Sequence, residues 1–275
     1  MMISMAKGKR KREKGWKVSF LKAFLPFTLY LLPSSLVFAD ALAESQARLG
    51  EVTGSVQVLT QGAPDWIDAH VDLPLETGDQ IRVGEEGQAE VSMAQNVLVV
   101  LDAGTHVIMG HTTTREGKLS MSRGALLGKI QTKEGAEGVW RFETPMGICA
   151  VRGTEFAIVH SEEEGTHLGV FDGAVEMAPA ETAAGTADAV MIRAREEGVL
   201  EKKKPFRKLN AYSPVVQRHI PHVKGLRNRY ARVSGVWVPL TGEYRKELRR
   251  KHVAPVKVKK TPPRRQAPRR RPPPH

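Results

Sequence analysis

One cysteine, Cys149, stands in 275 residues, so no intramolecular disulfide staples this fold. It sits in the apolar run GICAV, which reads as packing of a small hydrophobe rather than a nucleophile with an activating base. The motifs of familiar chemistries are missing as well. There is no Gly-x-Ser-x-Gly elbow, no His-Glu-x-x-His and no glycine-rich phosphate loop with lysine. His106 with His111, and His160 with His167, have no acid or thiol at ligand spacing, so neither a metal nor a cofactor is expected. Asp65 and Asp68 flank Trp66, a cluster that reads as a loop edge rather than a sugar site. The sequence therefore points away from an enzyme.

Residues 7–17 are strongly basic and residues 23–32 apolar, with Pro33, Ser34 and Ser35 breaking the run and small residues following. This is the order of a secretory signal, with cleavage near Ala41 or Ala43. The alternative is an uncleaved anchor, because residues 18–39 make 22 positions and a bilayer core needs roughly 20. Either way the expected location of the rest is the periplasm or cell envelope, free or anchored at the inner membrane.

Cations are scarce in the centre of the chain. Residues 44–179 hold 9 Lys and Arg against 21 Asp and Glu, a balance of −12, whereas residues 180–275 hold 25 against 7, a balance of +18. Opposed charges of this size imply two different parts with contact between them.

Between residues 50 and 177 short apolar alternations recur between Gly, Asp and Asn turn signals, and no long helical period appears. Strands are expected at 55–59, 80–83, 88–93, 96–101, 106–109, 118–121, 125–130, 139–144, 155–160, 167–171 and 174–177, with a last hairpin from 189. The fold class is all-β, many short antiparallel and stacked strands in a solenoid-like or sandwich-like domain spanning 44–200. The acids of the turns, such as Asp79 in TGD, read as turn formers. Val216, Ile220, Val223, Leu226, Tyr230 and Val233 then recur every three or four residues, an amphipathic helix cut by Pro221. A second helix is expected at 241–251 with Thr241 as cap, which makes 201–252 a small helical segment. Residues 253–275 form a basic, proline-rich tail expected to be disordered.

The stretch ETPMGICAVRGTEF, residues 143–156, crowds Pro145, Gly147, Cys149, Arg152 and Gly153 into an otherwise strand-like run. Pro145 and Gly147 suit a turn, and Gly153 a bulge or close backbone approach. Arg152 reads as an internal fastener that donates to carbonyls or pairs with an acid. Thr144, Pro145, Val151, Arg152, Gly153, Thr154 and Phe156, followed by Gly173 and Val175 in VFDGAV, resemble the signature of the FecR family's periplasmic domain. Upstream, GEVTGSVQV and LETGDQIRVGEEGQAEVSM follow the same order.

The resemblance implies an all-β extracytoplasmic module, and these nine residues are its structural motif. Iron-sensing members signal to a cytoplasmic sigma factor, but only about 17 basic or small residues precede the apolar segment here, too few for a sigma-binding domain. The expectation is a standalone exported binding protein with an envelope protein or polymer as partner. The alternative is a membrane-anchored relay of an extracytoplasmic signal. For Lys257, Lys259, Lys260, Arg264, Arg265, Arg269, Arg270 and Arg271 two readings stand, a solvated tail or contact with a polyanion such as anionic lipid or lipopolysaccharide, and export argues against nucleic acid.

Overall fold

The computed structural model describes residues 46–132, 138–181 and 188–253. The N-terminal segment and the basic tail, with all eight of its candidate polyanion contacts, lie outside the described residues. Among the described residues fourteen strands form one sheet of mixed pairing, and three helices follow. The strands are β1 Arg48–Thr53, β2 Val56–Leu59, β3 Ile67–Asp68, β4 Gln80–Val83, β5 Gln88–Ala94, β6 Val97–Leu101, β7 His106–Thr112, β8 Gly117–Ile130, β9 Trp140–Glu143, β10 Gly147–Ser161, β11 Gly165–Pro179, β12 Val190–Arg193, β13 Glu197–Leu200 and β14 Arg207–Leu209. The helices are α1 Pro214–Gln217, α2 Ile220–Gly235 and α3 Gly242–His252. The all-β expectation holds for the strand-rich body, which is one large mixed sheet.

Three strands are not short. β8, β10 and β11 run 14, 15 and 15 residues, and each changes partners partway. The first half of β8 pairs with β7 and, in parallel, with β9; its second half pairs with β6 and β10. β10 leaves β9 for β8 across a register shift between Arg152 and Glu155, and β11 passes from β13 to β12. The sheet thereby folds over on itself around one core. Phe142 of β9 and Phe156 of β10 meet edge to face at 5.0 Å in that core.

Glycine permits the bends. At Gly124, φ is +101°, and an added Cβ would lie 2.4 Å from the backbone of Thr105. At Gly173, where φ is +80°, an added Cβ would lie 2.8 Å from the carbonyl oxygen of Gly153. Both positions combine a left-handed backbone with a close approach, so a side chain there meets strain and overlap together.

β6 is buried along its whole length because it is covered twice. Val97, Val99 and Leu101 face the sheet interior, whereas Leu98 and Val100, with Leu127 and Ala157, face α2. The helix answers with Val223, Leu226 and Tyr230, the positions its periodicity marks. Pro221 sits in the first turn of α2, where its missing N–H costs nothing, so it starts the helix rather than cutting it. Ile220 is left partly exposed. Thr241 occupies the N-cap of α3 with extended backbone, but its side chain makes no capping bond.

Leu226→Ala should lower stability by about 2–5 kcal/mol, the usual cost of emptying a buried leucine site. Gly225, whose added Cβ meets nothing within 4 Å, provides the control. Gly225→Ala should raise stability by about 0.5–1 kcal/mol through helix propensity alone. Urea unfolding of both variants measures the pair.

Candidate functional site

The turn in ETPMGICAVRGTEF is built around Thr144. Its Oγ1 accepts from the amides of Met146 and Gly147 at 3.3 and 3.0 Å, and it lies 2.8 Å from the hydroxyl of Thr166. Thr166 in turn meets His160 Nδ1 at 2.9 Å. Burial of the His160 ring lowers its pKa. This buried chain of hydroxyls and imidazole ties the turn to the β10–β11 hairpin. Pro145 is exposed at the corner, as the turn requires.

A cleft of about 980 Å3 opens beside the turn. Met146, His160 and Ser161 line one side, and the β13–β14 loop, with Lys202, Lys203 and Phe206, lines the other. Lys203 holds a left-handed backbone at φ +61°. Lys204 pairs with Glu201 at 2.9 Å, whereas Lys202 and Lys203 are exposed and make no ion pair among the described residues. The cleft thus joins an apolar wall to a rim of both charges, where Lys202 and Lys203 stand with Glu162, Glu181 and the Glu201–Lys204 pair. The TPMG signal marks one wall, but nothing local in EKKKPF announces that it folds opposite.

The remaining motif residues serve the fold. Val151, Phe156 and Val175 are fully buried in the core. Gly153 has φ +58° within the register shift of β10, the bulge its position implies. The hydroxyl of Thr154 is buried and has no partner among the described residues. Burial pushes the Cys149 thiol up to about 12, as expected of a packing residue. Arg152 departs from expectation. Its side chain is exposed and has neither carbonyl nor carboxylate partner among the described residues, because strand alternation that buries Cys149 and Val151 turns position 152 outward, ahead of the register shift. It is not the internal fastener.

The fasteners come from the helices. Arg227 of α2 grips Glu155 of β10 with Nε at 2.8 and 2.9 Å from the two carboxylate oxygens, and Lys129 holds the same group from β8. Arg232 bridges Glu51 at 2.9 Å and Glu90 at 3.1 Å, and Arg229 stands 3.5 Å from Glu90. On α3, Arg249 donates to Asp79 at 2.7 Å and to the Pro74 carbonyl at 2.9 Å, while Arg245 reaches Glu76 at 3.2 Å. Asp79 also accepts from the amides of Gln61 and Glu76, so the turn-forming acid has a second duty. Glu155 and Glu90 are only 2% exposed and Asp79 not at all. The sequence signal was available in the opposed charges; the pairing was not.

Ser213, Glu197 and His167 form a third latch that superficially resembles a catalytic triad. Ser213 Oγ donates to Glu197 Oε1 at 2.8 Å and its amide to Oε2 at 2.6 Å, while His167 Nδ1 lies 2.6 Å from Oε1. The serine therefore bonds to the carboxylate rather than to the imidazole, whose Nε2 faces the carbonyl of Glu164 at 3.2 Å. A nucleophile–base order would require Ser–His contact. The arrangement instead pins the entry of α1 to β13.

With this geometry in place, the chain can be set beside known proteins. Residues 79–176 match the family model described as FecR protein, which bears out the resemblance carried by the motif. The match covers β4 to β11 and stops before the helices. Two crystal structures of a candidate anti-sigma factor from Parabacteroides distasonis are similar at 20% identity and a TM-score of 0.43. They share 53% and 51% of this chain, which spans 65% and 63% of theirs, less than two thirds of their length. Comparison with curated proteins finds no match.

The clasp makes stability depend on pH. Burial works to raise the Glu155 pKa, but hydrogen bonds from Arg227 and Lys129 outweigh it and hold the carboxyl below its usual range. Such a group contributes its full stabilisation above the unfolded value of about 4.3 and loses it as pH falls through the lower folded value. Glu155→Gln should therefore be less stable than the parent at pH 7, with the gap narrowing toward pH 3. Denaturant midpoints across that window check this, and a gap independent of pH refutes it.

Proposed function

We propose that this chain is a non-catalytic, extracytoplasmic binding protein whose partner seats in the cleft beside the Thr144 turn. The observation that carries the reading is the contrast between the cleft and the rest of the β body. Glu155, Glu197, His167 and Asp79 are consumed by internal latches, whereas Lys202 and Lys203 stand without ion-pair partners over Met146 and Phe206. An apolar wall with a rim of both charges suits a segment of an envelope protein or polymer that presents an apolar group flanked by charged ones, with a carboxylate set against Lys202 and Lys203. The wiring of Ser213, Glu197 and His167 supports the non-catalytic reading.

The basic-then-apolar order of residues 7–32 supports export. A second reading, a membrane-anchored signalling component, is favoured by the 22-residue apolar stretch at 18–39 together with the FecR match. Among the described residues no helix is long and apolar enough to cross a membrane. The mass of the N-terminus of chain recovered from membranes separates the two readings, since an intact start favours the anchor.

A photocrosslinking residue at Lys203 should capture a discrete partner in intact envelopes, and one at Met191, exposed on β12, should not. Lys202→Glu should abolish the Lys203 product while leaving the melting temperature within about 2 °C, as expected for an exposed loop residue. Equal capture at both positions, or hydrolysis of cell-wall polymer by the purified chain, overturns the proposal.

A further inference from the structure

The described body releases both of its chain ends from one face, and that face is apolar. At the N-terminal end, Gln46 pairs with Leu240 through two hydrogen bonds of 2.9 and 3.2 Å. At the C-terminal end, the His252 ring lies 5.1 Å from that of His70. Between them stands Arg48, whose guanidinium covers Trp237 at 4.2 Å and donates to the Val238 carbonyl. Asp72 and Tyr244 are close enough to act on its charge. The loop joining α2 to α3 and the loop before Leu73 thus surround one arginine.

The side chains displayed there are of the wrong kind for water. Val236 is 75% exposed, Val238 60%, Val71 53% and Tyr244 45%, the four most exposed large hydrophobics among the described residues. Valines beside Trp and Tyr, with Arg48 among them and Lys251 two turns along α3 from Tyr244, combine apolar reach, amphipathic rings and cations. Aromatic and cationic side chains of this kind favour the headgroup boundary of a bilayer.

The chain on either side selects the occupant. Six residues separate the apolar segment 18–39 from Gln46, a reach of at most about 20 Å when extended. Beyond Val253, residues 254–275 carry eight Lys and Arg and no acid. Attachment to a membrane through either end therefore brings this same face to the lipid, and the tail's charge favours an anionic surface. We propose that the face formed by Val71, Val236, Trp237, Val238 and Tyr244 docks on an anionic phospholipid bilayer, with the Val236–Val238 loop entering the headgroup region. The docking shares no residue with the cleft and does not depend on a partner there.

Buried Cys149 resists labelling, so one introduced cysteine places a probe at a single site. Full-length chain carrying Val238→Cys, labelled with an environment-sensitive fluorophore, is mixed with phosphatidylglycerol–phosphatidylcholine vesicles that contain a doxyl-lipid quencher. Met191→Cys on β12 is the control. Emission at residue 238 should shift to the blue and be quenched several-fold more than at residue 191, and Val236→Asp should remove the difference. Equal, weak quenching at both positions would mean a tether without docking and overturn the proposal. A blue shift insensitive to the lipid quencher would do the same, showing the face covered by protein, a second copy included.

Discussion

Carboxylates buried without cations of their own place the strongest constraint on this molecule. Glu90, Glu155 and Asp79 are at most 2% exposed, in a region where acids outnumber bases 21 to 9. A buried ionised carboxylate is tolerated only when paired and hydrogen-bonded. Apart from Lys129, the pairing cations come from α2 and α3. The helices also cover the apolar strip of Leu98, Val100, Leu127 and Ala157, so both charge and hydrophobic burial bind the helical segment to the sheet. The FecR match ends at residue 176, yet the buried acids within it are completed by residues 227–249.

Much of the β architecture can be read from period-two patterns, because a strand with one face on a core must alternate. What those patterns hide is continuity. SRGAL, VRGTE and FDGAV look like breaks between short strands, since Gly124, Gly153 and Gly173 carry the chemistry of a turn. The same left-handed backbone bends a strand when each flank finds a partner, and those partners lie far away in sequence. The distinction is tertiary, so no local signal conveys it.

The arginines show the same limit in electrostatic form. Arg152, inside a recognisable motif beside the core, turns out to be exposed, while Arg227 and Arg232, on an ordinary amphipathic helix, become the fasteners. An arginine's role follows from the acid across from it, 72 residues away for Arg227 and 142 for Arg232. Domain-scale charge balance does survive in the sequence, which is why contact between the two parts was legible when its partners were not. The cleft follows the same logic: the Thr144 turn is written locally, and the lysine loop opposite it is not.

The helical segment touches both ends of the body. α1 is pinned by Glu197 of β13, the strand that leads into the cleft loop, and α3 by Asp79 and Glu76, near the face where the chain ends emerge. One continuous stretch thus spans the two surfaces, but continuity alone does not make a relay; coupling requires a second arrangement of comparable energy. Breaking the buried Asp79–Arg249 pair by removing one partner costs about 3–5 kcal/mol, the pairs of the more exposed Arg227 and Arg232 add less, and moving the helices off the sheet would also bare Leu98 and Val100. At neutral pH the helices therefore act as a fixed brace. Signal passage by undocking them would require a partner that supplies replacement cations for Glu155 and Glu90 as it displaces Arg227 and Arg232.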